Sequence, residues 1–146
     1  MTGIARRLGS PIVIVLAVAT IGLFWIMATP PSAGPDEQSH IVRGAALVRG
    51  MLDGEQLEED STFYYFELPA EVGFPAPNCF AFQPDVPATC ATSVEVPSGD
   101  AILFTRSSDY PIWGHLLPGF GTLVPGETGN TLARFLDGLI PVLLIG

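Results

Sequence analysis

Residues 12–28 read IVIVLAVATIGLFWIMA, inside a longer stretch from Leu8 to Pro35 that holds no charged side chain. Wound as a helix, this run is about 25 Å long, close to the ~30 Å hydrocarbon core of a bilayer. Arg6 and Arg7 come before it and acids come after it. The positive-inside rule then leaves residues 1–11 cytoplasmic, makes 12–28 a transmembrane helix and puts the following chain outside. Trp25 lies near the outer end, where an indole favours the headgroup region. A cleaved secretory signal shares the basic start, but its apolar core is shorter, about 7–15 residues. The small residues from Ala28 to Gly34 suit a peptidase, so that alternative stays open. With either reading, the chain beyond this run is exported.

Outward from this run, charge is the next constraint. The chain has 15 acids, six arginines and no lysine. Between Thr29 and Asn130 stand 14 acids against Arg43, Arg49 and Arg106, a net charge of −11. Such a segment does not bind nucleic acid or an anionic bilayer through charge. Clusters such as Glu58-Glu59-Asp60 read as solvated loop. The two cysteines, Cys79 and Cys90, lie in the proline-rich NCFAFQPDVPATC. In an exported segment they are expected to pair as a local disulfide. A loop of that size contributes about 3 kcal/mol in the chain-entropy picture. There is no CxxC spacing, and no second Cys/His pair to complete a zinc site.

The extracytoplasmic part, residues 29–109, opens with a helix expected over 35–49. Thr29-Pro30-Pro31 ends the first helix, Pro35 suits a first helical position, and Gly50 suits the left-handed stop after Arg49. Ile41, Ala45, Val48 and Leu52 fall on one face at helical spacing. Thr62–Phe66 and Ala101–Thr105 read as short strands, with the cysteine loop between them. Prolines at 69, 75, 77, 84, 87 and 97 forbid long regular elements there. No repeat is present. Residues 110–129 are aromatic, apolar and broken by glycine and proline, as in a segment at the membrane interface. Residues 130–146, with TLARFLDGLIPVLLIG from Thr131, read as the start of a second transmembrane helix. That run is short for a full crossing, so the chain reads as the N-terminal piece of a larger multi-pass protein. The expected class is a membrane α-helical protein with a loop-rich α/β insert.

One constellation in the insert carries chemistry. GPDEQSH, residues 34–40, places Asp36, His40 and Arg43 at i, i+4 and i+7 on a helix from Pro35, with Glu37 beside them. One reading is purely structural, because acids in a first turn are stabilised by the helix dipole. The other is a carboxylate just outside the bilayer, acting as a general base or holding a divalent cation such as Mg or Mn through Asp36 or Glu37. Zinc is disfavoured, since only His115 adds a second imidazole. The two histidines are too few and too distant in sequence to define a triad. No phosphate-binding glycine loop, nucleophile elbow or HExxH occurs.

The order apolar helix, P-D-E-x-x-H-x-x-R-(G/A)-A, loop, Tyr-Pro, then R-F-L-x-x-L resembles a set of actinobacterial multi-pass membrane proteins. These are termed domain of unknown function 2142, and they are similar to GT-C glycosyltransferases. The residues that carry the resemblance are Pro35, Asp36, Glu37, His40, Arg43, Ala45, Tyr110, Pro111, Arg134, Phe135 and Leu136. It implies a truncated GT-C-like fold, and an enzyme drawing sugar from a polyprenyl-phosphate donor for an envelope glycan acceptor. By position it implies Asp36 or Glu37 as the active-site acid, His40 and Arg43 as neighbours, and Arg134 as a donor-phosphate contact. The family's aromatic segment often reads H-P-P-L-Y-Y, whereas here it is Asp109-Tyr110-Pro111-Ile112-Trp113-Gly114-His115, so no family role passes to His115. The competing classes are a non-catalytic membrane protein whose outer loop binds a partner, and a transporter component.

Overall fold

The computed structural model describes residues 2–34, 36–57, 61–73, 79–80, 83–87, 89–90 and 98–145. The expectations for Pro35, the Glu58-Glu59-Asp60 cluster and the prolines at 75, 77 and 97 lie outside these residues. Four helices and a two-stranded sheet follow in the order α1 (Thr2–Ala28), α2 (Glu37–Val48), β1 (Tyr64–Pro69), a 3-10 turn (Ala70–Gly73), β2 (Asp100–Thr105), α3 (Trp113–Gly121) and α4 (Gly126–Ile145).

The apolar run is helical and long enough to cross a membrane by length and composition, and none of the window Pro11–Ala28 is buried. The helix starts ten residues earlier than residue 12, with Pro11 inside it. Nothing in the apolar pattern marks that start, because residues 2–11 carry no periodic stripe. The helix stops where Thr29 folds back, its amide and hydroxyl both donating to the Trp25 carbonyl at 3.0 and 2.7 Å. Prolines 30 and 31 then block continuation.

The turn into α2 is tight, with Ser32 at φ 61° and Asp36 at φ 58°. The Glu37 carboxylate reaches back and accepts from the amides of Ser32 (3.2 Å) and Gly34 (3.0 Å). That contact satisfies donors that a turn would otherwise leave bare. Helix α2 therefore spans Glu37–Val48 rather than 35–49, with Asp36 at the N-cap in the left-handed region. Asp and Asn tolerate that region better than most residues.

Every residue of α2 from Ile41 to Leu47 is buried. The helix packs against α3, β2 and the 3-10 turn, while α3 packs on α4 and α1 on α4. The α2–α3 crossing is close enough to need glycine on both sides. A Cβ on Gly44 would lie 2.6 Å from the His115 carbonyl oxygen and 3.0 Å from Gly119 Cα, and one on Gly119 would strike the Gly44 backbone. Strands β1 and β2 are antiparallel, in the register Tyr64↔Thr105 through Pro69↔Asp100. Phe66 and Leu68 point into the core with Ile41, Val42, Ala45, Ala46, Val72 and Ala133, and Leu103 packs against it. The strand lies at 64–69 rather than 62–66, and the unbroken FYYF run hides its alternation in the sequence. Cys79 and Cys90 are disulfide-bonded, with Cα atoms 6.1 Å apart.

The last helix begins at Gly126, earlier than residue 130, inside the segment expected to lie at the interface. Helix α3 occupies the other half of that segment. Among the described residues, α1 alone passes the length and composition test for a membrane span. Helix α4 carries Glu127, Arg134 and Asp137.

Candidate functional site

The C-terminal half of α1, the start of α2 and the middle of α4 line a groove of about 550 Å3. Its long walls are apolar, with Val18, Ile21, Trp25 and Pro141 among the lining residues. Its polar part is formed by Glu37, His40, Arg134 and Asp137. Two of these four, Glu37 and Arg134, form an ion pair, Nε to Oε1, at 2.7 Å, with side chains 18% and 9% exposed. Arg134 also donates through Nη1 to the carbonyls of Ile26 and Thr29, both 3.2 Å, and through Nη2 to Thr29 Oγ1 at 2.8 Å. One guanidinium thus joins the end of α1 to α2 and α4. This fork geometry is what arginine offers and lysine does not.

The predicted common face of Asp36, His40 and Arg43 is not what α2 presents. Asp36 sits before the helix with a left-handed backbone, is exposed, and makes no capping bond through its side chain. It lines a separate small cleft of about 190 Å3 with Ser39, Phe104 and Arg106, which shares Gly34 and Glu37 with the groove. Arg43 turns the other way. It is buried, donating to the carbonyls of Leu52 (2.8 Å) and Ser108 (3.4 Å), and lies 5.9 Å from the Phe66 ring. Burial lowers its pKa, opposed by the charges of Asp53 and Asp109. The groove face of α2 is Glu37, His40 and Ile41.

His40 has a partner that its sequence position hides. Its ring stacks on His115 of α3, centroids 4.9 Å apart, with the two Nδ1 atoms at 3.3 Å. One ring must donate and the other accept, so the contact cannot persist with both rings cationic. His115 is 4% exposed. Burial, then the charges of His40 and Arg43, push its pKa down to about 4. Tyr110 completes this aromatic group, 6.0 Å from His40 and 6.4 Å from His115 between centroids. These three rings, with Trp113 and Asp137, line a second cleft of about 300 Å3.

Sequence reasoning reached Asp36, Glu37, His40, Arg43 and Arg134, and the structure brings Glu37, His40 and Arg134 to one groove. It missed His115 and Asp137. The spacing of Arg134 and Asp137, three apart and so on one face of the helix, was a usable signal, because the residues around them from Leu132 to Leu144 are mostly apolar. Nothing in the sequence links His115 to His40. No cluster of three or more His, Cys, Asp or Glu side chains able to hold a metal ion occurs among the described residues. A divalent cation at Asp36 or Glu37 would therefore take most of its shell from water or other oxygen ligands rather than from the described side chains. No family model, curated protein or solved structure matches the chain.

Proposed function

We propose that the chain forms the first part of a polytopic, GT-C-like membrane glycosyltransferase that uses a polyprenyl-phosphate-linked sugar in cell-envelope glycan assembly. The observation that carries this reading is the composition of the α1–α4 groove. Its apolar walls match a prenyl chain, and Arg134, the one arginine lining it and already paired with Glu37, is the cation that would meet a phosphate head. In this reading α1 spans the membrane and α2, the sheet and α3 lie outside it. An acceptor hydroxyl oxygen bonds to the anomeric carbon as the bond from that carbon to the phosphate oxygen breaks. The electron pair leaves on the polyprenyl phosphate, and the hydroxyl proton passes to a carboxylate. Asp36 is the exposed carboxylate beside the groove, while Glu37 is engaged by Arg134 and two backbone amides.

The test is transfer of labelled sugar from polyprenyl-phosphate donors by membranes containing the full-length protein of which this chain is the first part, since the chain alone is not expected to be active. Asp36→Asn is expected to abolish transfer at unchanged protein level. Full transfer by Asp36→Asn together with full transfer by Glu37→Gln would return both acids to a structural role. A second reading, a non-catalytic membrane protein whose outer region binds a partner, is favoured by the outward face of β2, where Ile102 and Phe104 are exposed. No transfer by the wild type with any such donor would leave that reading standing.

A further inference from the structure

We infer that the cleft beside His40 receives the hexopyranosyl ring of the lipid-linked donor, with the bond between sugar and phosphate lying at His40 and Asp137. This rests on the reading of the α1–α4 groove as the site of a polyprenyl phosphate. His40 and Asp137 line both spaces, so a ligand occupying groove and cleft together passes between them. A lipid-linked sugar has that two-part shape: one greasy chain, one phosphate, one polar ring.

The cleft has the chemistry a pyranose asks for. A sugar ring presents apolar C–H faces, which aromatic rings cover, and an edge of hydroxyls, which need donors and acceptors. Trp113 and Tyr110 are 69% and 58% exposed, so both rings present a large aromatic surface at the cleft. Indole and phenol combine an apolar body with a polar tip. His40, His115 and Asp137 supply the polar atoms. The stacked contact of His115 fixes the His40 ring, and because Nδ1 faces His115, Nε2 is the atom of His40 left for a ligand. The volume, about 300 Å3, lies at the small end of ligand pockets, which run ~300–1,000 Å3. A prenyl chain would gain nothing from two imidazoles and a carboxylate. His115 is thus a positioning residue, while Tyr110, Trp113, His40 and Asp137 would touch the sugar.

The two tryptophans of the chain report on the two spaces separately: Trp25 lines the groove and Trp113 the cleft. The experiment uses the whole chain in lipid nanodiscs, with Trp25→Phe leaving Trp113 as the emitter and Trp113→Phe leaving Trp25. Undecaprenyl phosphate is expected to shift the emission of Trp25 alone. The same lipid carrying glucose, mannose or galactose should shift both, and one of the three should bind about tenfold more tightly than the bare phosphate. Tyr110→Ala and Trp113→Ala should each remove that tenfold preference while leaving the affinity for undecaprenyl phosphate unchanged. Trp113→Phe should retain the preference. If all three sugar lipids shift Trp25 without shifting Trp113, the sugar cleft is overturned and the lipid-phosphate reading survives. If a free hexose oligomer shifts Trp113 as strongly as the sugar lipids do, the cleft belongs to an acceptor and the donor assignment falls. If no lipid shifts Trp25, the proposed function itself falls.

Discussion

Helices α1 and α2 are neighbours in sequence and opposites in packing. Helix α2 has seven consecutive buried residues and is surrounded by α3, β2 and the 3-10 turn. Helix α1 is more apolar, yet Ile12, Val13, Ile14, Leu16, Leu23, Phe24 and Met27 are all exposed, and its packing partner is α4. Apolar surface left open at roughly 25 cal/mol per Å2 is a large free-energy debt in water. The difference teaches that α2 is apolar for the protein's own core, whereas most of the apolar surface of α1 is left uncovered by the other described residues. Under the membrane reading proposed above, a bilayer is what covers it.

The contrast breaks most readily at glycine. Gly44→Val forces a side chain into the α2–α3 crossing and is expected to cost about 3 kcal/mol or more, because backbone rather than a flexible side chain must yield. Gly22→Val in α1 meets nothing within 4 Å and should leave stability unchanged. Thermal unfolding followed by near-ultraviolet circular dichroism in detergent compares the two. Equal loss in both would erase the distinction between the helices.

Next in size is the contact that joins the two regions. Replacing Glu37 by Gln or Arg134 by Gln leaves a mostly buried charge without its partner, at about 2–4 kcal/mol. The double variant should recover part of that loss, which a double-mutant cycle measures as coupling. Strict additivity would mean the pair contributes nothing beyond its separate parts.

A smaller effect depends on pH. His115 holds its pKa near 4 in the folded protein, against 6.5 when unfolded, so the unfolded chain binds more protons between these values. Stability is therefore present in full above pH 6.5 and falls as the pH drops toward 4, by about 2 kcal/mol with allowance for partial solvent screening. His115 faces His40, Tyr110 and Arg43, and His115→Phe should flatten this slope in urea titrations run across the window. The smallest effect belongs to Asp36. Its left-handed backbone makes Asp36→Ala cost under about 1 kcal/mol, while Asp36→Gly should be nearly neutral, as read from the urea midpoint.

How much of the molecule was legible in its sequence depends on which forces are local. The seventeen-residue apolar run, the Pro30-Pro31 stop and the left-handed Gly50 after Arg49 act within a turn of themselves, and α1 and α2 can be read from them. The Cys79–Cys90 pairing was legible because these are the only two cysteines of the chain. The early start of α1 was invisible because residues 2–11 show no apolar stripe, and the start of α4 because Gly126 and Gly129 argue locally against helix. Gly129 is tolerated because the chain passes close by: a Cβ there would strike the Val124 carbonyl. The candidate site was half legible. Glu37 and His40 share a turn, but the pairing of Glu37 with Arg134 spans 97 residues and that of His40 with His115 spans 75. Only the α2–α3 crossing at Gly44 and Gly119 brings the two rings together, and no local signal encodes a crossing.

The most direct measurement is spin-label accessibility along α1 in nanodiscs, with single cysteines at Ile12, Leu16, Ala19, Leu23 and Met27 and the Cys79–Cys90 bridge intact. A lipid-facing helix gives high collision rates with oxygen and low rates with a water-soluble nickel chelate at Leu16, Ala19 and Leu23, with chelate access rising only toward Ile12 and Met27. Free chelate access at Leu16, Ala19 and Leu23 would contradict it, and would place α1 in water or against a protein partner instead.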